Sequence, residues 1–148
     1  MDELERLLAE RACERLITEY CRRVDFGEAA GIADLFTEDG TWEGVELRLE
    51  GREEIRAWFT RRGELTRRVS RHLCVNVAVD VTGPDTASSL AYMVNYRHDR
   101  SDGDGGLPVP GDVPKFVGEL HDTFRRTDDG WRFSSRRVVL AFLRPPRG

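Results

Sequence analysis

The stretch His72-Leu73-Cys74-Val75-Asn76-Val77-Ala78-Val79-Asp80-Val81 decides the fold. Its odd-numbered members are Leu and Val, and its even-numbered members are small, polar or charged. Side chains of an extended chain alternate between two faces, so a period of two predicts a long half-buried strand. Gly83-Pro84-Asp85 then turns the chain into a second strand over 86–98. A third strand is predicted over 115–126, and Thr127-Asp128-Asp129-Gly130 makes the hairpin turn into a fourth over 131–143. Between the second and third strands, 99–114 is rich in Gly, Pro and Asp, too polar to pack, and is expected to be a mobile loop or lid.

Upstream of residue 68 the period is helical. Leu4, Leu7, Leu8, Cys13, Leu16, Ile17, Tyr20 and Val24 recur at spacings of three and four, which predicts one amphipathic helix over 2–24. Acids crowd its first turn, Arg22-Arg23 close its last, and Gly27 stops it. A short helix over 29–36, a turn at Thr37-Glu38-Asp39-Gly40 and a small hairpin through Trp42 and Leu49 follow. Gly51-Arg52-Glu53-Glu54 opens a further helix with Ile55, Trp58 and Phe59 on its inner face. Helices first and long antiparallel strands after them give an α+β domain spanning 1–148, with a pocket between the curved sheet and its long helix.

Composition narrows the partners. The chain has 148 residues, with 27 acids against 23 bases and a net charge of -4. Nucleic acid is excluded as the main partner, because phosphate binding needs a net basic face. All the bases but Lys115 are arginine, spread along the chain, and Arg67-Arg68 with Arg71 is expected to be a solvated face. The longest apolar run, Val138-Val139-Leu140-Ala141-Phe142-Leu143, is far short of the ~20 residues of a membrane span. Met1-Asp2-Glu3-Leu4-Glu5 is acidic where a targeting peptide is basic, and Cys13, Cys21 and Cys74 show no CxxC spacing. The expectation is a cytoplasmic protein with neither disulfide nor metal.

Three positions stand out for chemistry. Asp25 closes the first helix inside the apolar frame Val24-Asp25-Phe26. His72 begins the long strand on the side shared with Cys74, Asn76 and Ala78, a side too polar for a tight core and fit for a pocket wall. Tyr20 lies a little over one helical turn before Asp25. An Asp held against a His fixes the ring tautomer and leaves the distal nitrogen as a general base. Singly, each has a bland reading: a solvated acid near a helix end, a satisfied strand histidine, a core tyrosine with its hydroxyl at the rim.

The order and spacing of these motifs carry more. Tyr20-x4-Asp25, Leu35-Phe36-Thr37-Glu38-Asp39-Gly40 followed by Trp42, Gly51-Arg52-Glu53-Glu54-Ile55, Arg71-His72-Leu73-Cys74-Val75-Asn76, and Gly118-x3-Asp122 before the Arg125-to-Phe133 hairpin resemble the SnoaL-like branch of the NTF2-like superfamily, over nearly the whole chain. The resemblance implies a cone-shaped, cystatin-like α+β roll. It is nearest to the group of scytalone dehydratase, bile-acid 7α-dehydratase and hexachlorocyclohexane dehydrochlorinase. There, an Asp at the end of the first helix and a His on the first long strand abstract a proton, and Asp25 and His72 occupy the matching places. Trp42 matches a pocket tryptophan, and counting five residues from Trp131 reaches Arg136, matching an arginine for a leaving anion or developing oxyanion.

The implied function is a cofactor-independent lyase, eliminating water or HX from a small apolar polycyclic or polyketide-like substrate. Asp25, His72, Tyr20 and Arg136 are its catalytic residues. Asn76, Met93, Asn95, Phe116 and Leu120 join Trp42 in binding. The alternatives are a ketosteroid-isomerase-like isomerase, a polyketide cyclase, or a small-molecule-binding domain without turnover. By strand parity His98 points away from the pocket, and His121 faces solvent or a subunit interface. Asp99-x2-Asp102-x-Asp104 lacks the spacing of a calcium loop. The face Leu73-Val75-Val77-Val79-Val81 is expected on the convex side of the sheet, where it needs a homodimer or homotrimer partner.

Overall fold

A computed structural model describes residues 1–101 and 106–146. Helix α1 runs Glu3–Asp25 and opens on a capping box: the Asp2 side chain accepts from the Glu5 N–H, and the Glu5 side chain accepts from the Asp2 N–H. Its buried stripe is Ala9, Cys13, Leu16, Ile17, Tyr20, Cys21 and Val24. The first two turns differ from expectation, since Leu4, Leu7 and Leu8 are exposed. Past the helix, Gly27 takes a φ of 78°, a left-handed conformation that costs glycine little.

A 3-10 helix, Ala29–Leu35, leads into β1 (Phe36–Gly44) and β2 (Leu47–Glu50), and α2 (Arg52–Gly63) follows. Thr37–Gly40 is not a free turn. It is an irregular part of β1, across which the register with a later strand shifts between Phe36 and Thr41. The remaining strands are β3 (Arg68–Gly83), β4 (Thr86–Asp99), β5 (Phe116–Thr127) and β6 (Gly130–Leu143). They form one six-stranded sheet in the order β2-β1-β6-β5-β4-β3. All neighbours are antiparallel except β1 and β6, whose pairing is parallel. That contact joins distant segments, so no hairpin pattern predicts it.

The sheet curves over α1, and the core fills the concave side. Phe36, Phe124 and Phe133 stack at its centre, with ring centroids 5.1 Å apart for both pairs that include Phe133. Ile17, Ile32 and Ile55 are fully buried beside them. Each such side chain contributes roughly 1.5–3 kcal/mol by leaving water. Gly118 is needed where β5 meets β6, because a Cβ there would lie 2.7 Å from the Val139 carbonyl oxygen.

The deciding strand holds a correction. Asn76 has a φ of 53°, and the register with β4 jumps from Val75↔Tyr92 to Ala78↔Leu90, one extra residue on β3. This bulge swaps the two faces of the strand. Before it, Leu73 and Val75 point outward, 44% and 42% exposed. After it, Val77, Val79 and Val81 turn inward against the core around α1, and Ala78 and Asp80 turn out. The five-residue convex face therefore does not exist as one surface. Only its first two members remain outside, beside Leu90, Tyr92 and Tyr96 of β4. The polar loop expected over 99–114, including the Asp102 and Asp104 of the calcium-like spacing, lies partly outside the described residues.

Candidate active site

A cavity of about 260 Å³ opens between α1, α2 and the concave sheet. An apolar cavity of about 150 Å³ holds one benzene, so this one takes a skeleton of one to two rings. Trp42 of β1 and Trp58 of α2 stack at 5.7 Å on one wall, and Met93, Phe116, Val138 and Leu140 add to the apolar lining.

Asp25 is the last residue of α1, and the turn after it directs its carboxylate at the start of β3. The carboxylate accepts three hydrogen bonds from that strand. Ser70 Oγ donates to Oδ1 at 2.8 Å, the His72 backbone N–H donates to Oδ2 at 2.8 Å, and His72 Nδ1 lies 2.7 Å from Oδ1. The two side chains are only 5% and 13% exposed. An ionised carboxylate accepts and cannot donate, so facing one, His72 carries its proton on Nδ1 and turns Nε2, which has no partner among the described residues, into a lone-pair acceptor. His72 lines the cavity, and Phe116 packs edge-on against its ring at 6.5 Å. An imidazole desolvated and oriented in this way can serve as a general base.

Tyr20 also lines the cavity. Its oxygen accepts from Trp42 Nε1 at 3.0 Å, and burial pushes its hydroxyl up to about 12, so it stays protonated at neutral pH. Its own proton has no acceptor among the described residues and is available to a ligand. Asn95 is buried on the same wall, its amide making one long contact, 3.5 Å, to the Tyr96 carbonyl.

Three expected site residues lie elsewhere. Arg136 is not on the cavity wall. Its side chain is fully buried, and Nε and Nη2 both donate to Asp122 at 2.8 Å across the β5–β6 register. The guanidinium lies 4.2 Å over the Tyr20 ring and 4.5 Å over Phe133, so it reaches the cavity only through Tyr20. Asp122 takes Nε and Nη2, and the buried Nη1 has no partner among the described residues, but the guanidinium is separated from the cavity by the Tyr20 ring. Leu120 packs below the floor with Cys21, Ala91 and Met93. Asn76 sits on the exposed bulge, away from the cavity. Cys21 and Cys74 meet behind the floor with Sγ atoms 3.3 Å apart, both as free thiols.

Sequence reading passed over Ser70 and three arginines. Ser70 shares a strand face with His72 at a separation of two, the signal that marks it. Arg62 of α2, Arg68 of β3 and Arg97 of β4 line one end of the cavity. Arg68 is therefore not on a solvated face. His98 lies outside the cavity, and His121 Nε2 lies 2.9 Å from a Glu119 carboxylate oxygen. Among the described residues, no group of three or more His, Cys, Asp or Glu is placed to hold a metal ion. Nor is any helix among them long and apolar enough to cross a membrane.

Comparison with known proteins agrees with the fold. A model of the SnoaL-like domain matches residues 5–137. An NTF2-like protein with a cystatin-like fold from Novosphingobium aromaticivorans is 28% identical, covering 93% of this chain and 85% of that one, with a TM-score of 0.76. A scytalone dehydratase-like protein from the same organism is 20% identical over 93% and 87% of the two chains, with a TM-score of 0.77. LinA is 17% identical over 100% and 96%, with a TM-score of 0.78. No curated protein matches the sequence.

Proposed function

The chain belongs to the SnoaL-like domain family, and from that premise we propose that it is a lyase whose base is the Asp25–His72 dyad. The observation that carries the reading is the 2.7 Å contact from His72 Nδ1 to Asp25 Oδ1, with the ring on the cavity wall. His72 Nε2 takes a proton from a carbon beside an electron-withdrawing group, and Asp25 stabilises the imidazolium that forms. The C–H pair becomes the new C=C bond as the bond to a β-hydroxyl breaks. The imidazolium returns its proton to the departing hydroxide, releasing water and resetting the base. Tyr20 donates a hydrogen bond to the departing oxygen without losing its proton, since its hydroxyl is held near 12. Such a base contributes about 10²–10⁴ in rate, and the placed donor adds to it.

The substrate is a largely apolar skeleton of one to two rings, lying between the tryptophan pair and Phe116. The same base returning its proton to a different carbon gives isomerisation, a reading favoured by His72 being the one histidine on the cavity wall among the described residues. The same proposal keeps the protein in the cytoplasm, where its three thiols stay reduced. It pairs copies as a homodimer or homotrimer through exposed Leu73, Val75, Leu90, Tyr92 and Tyr96. Sedimentation showing only monomer at micromolar concentration would remove that assembly.

Deuterium exchange at the α-carbon of a bicyclic ketone, 2-tetralone, tests the base directly. The expected result is enzyme-dependent exchange in D2O, lost by about 10²-fold or more in His72→Ala and Asp25→Asn with the fold retained. Exchange that survives in either variant contradicts the dyad.

A further inference from the structure

The cationic end of the cavity is the feature that proton abstraction leaves unexplained. Arg62, Arg68 and Arg97 come from three different elements and converge on the cavity end near His72. Their partners do not balance them. Arg68 is matched by Asp99, with Nε and Nη2 donating at 2.8 and 3.3 Å. Arg62 has one long hydrogen bond, from Nη2 to the neutral Ser70 Oγ at 3.3 Å. The Arg97 guanidinium has neither a hydrogen bond nor an ion pair among the described residues. Asp25, whose charge reaches Arg62, is already engaged by Ser70 and by both the backbone and the ring of His72.

All three arginines are partly buried. Burial, followed by repulsion from Arg68 and Arg97, holds Arg62 below the ordinary arginine range. Burial and then Arg68 do the same to Arg97. Asp99 offsets part of this for both, and Asp25 for Arg62, but neither acid is hydrogen-bonded to Arg62 or Arg97; a partly desolvated charge without a directly paired counterion is costly, and an arriving anion relieves that cost. Two uncommitted guanidiniums present planar forks that suit one carboxylate, accepting from both. Much of the remaining lining is apolar, including Trp42, Trp58, Val138 and Leu140.

We propose that the cavity binds a carboxylate-bearing molecule, with its carboxylate between Arg62 and Arg97 and its apolar rings against Trp42 and Trp58. This rests on the dyad reading only for the carboxylate being part of the substrate; the anion site itself stands on the three arginines. Arg68, fixed by Asp99, holds the position of the site and supplies long-range attraction.

Calorimetric titration with 2-naphthoate and its neutral isostere 2-naphthamide tests the site. The carboxylate is expected to bind about tenfold or more tighter, the range of a charge-assisted pair. That preference collapses toward unity in Arg97→Met and in Arg62→Met, and largely survives in Arg97→Lys. It also survives in His72→Gln, so loss of deuterium exchange and loss of anion preference are separate failures. Equal affinity for acid and amide, no binding of either, or a preference untouched in both methionine variants overturns the proposal.

Discussion

Asp122 and Arg136 face each other across β5 and β6, joined by two 2.8 Å hydrogen bonds, with neither side chain exposed to solvent. The pair lies under Tyr20, not in the cavity. Removing one partner leaves a buried, uncompensated charge, at a cost of about 3–5 kcal/mol. Asp122→Leu and Arg136→Met should therefore each lower the urea midpoint strongly. The double variant should be less destabilised than either alone, because it strands no charge. Costs that simply add would show that the two residues act independently.

Asn76 is the pivot that turns Val77, Val79 and Val81 into the core. Its φ of 53° is accessible to Asn and Gly and strained for a β-branched residue, by about 1–2 kcal/mol. Asn76→Gly should unfold near the wild-type urea midpoint, and Asn76→Val should fall short by that amount. Equal midpoints for the two variants would mean that the bulge does not hold the strand.

Tyr20 carries a pH signature. Its hydroxyl rises from 10.0 to about 12 through burial, so the folded protein holds this proton more tightly than the unfolded chain. The contribution is fully present below pH 10 and is lost as pH rises from 10 to 12, reaching roughly 2–3 kcal/mol. Tyr20→Phe forfeits the Trp42 hydrogen bond, about 1 kcal/mol at neutral pH, but has no phenol to ionise. Chemical denaturation across pH 9–12 should show the stability gap narrowing and then reversing. Parallel curves would contradict a buried, neutral Tyr20.

Much of this was legible in the sequence, and the exceptions have physical causes. The 3.6 period of α1 and the two-residue period of the strands mark the elements, and their order brings Asp25 to His72. Alternation assumes one register throughout, so the single extra residue at Asn76 hides the inversion of the strand. The parallel β1–β6 contact is invisible because it joins segments about ninety residues apart. Arg62, Arg68 and Arg97 each read as one more surface base in an arginine-rich chain, and only the fold gathers them. Arg136 counts correctly to the pocket strand, yet Asp122 opposite it draws the side chain into the core.

In the proposed dyad, Asp25 holds His72 with Nδ1 protonated and Nε2 toward the cavity. Long-range 1H–15N correlation spectra of the imidazole report the tautomer directly. The predicted result is a single Nδ1–H tautomer in the wild type that becomes a mixture in Asp25→Asn. An Nε2–H tautomer, or a spectrum unchanged by that substitution, would contradict it.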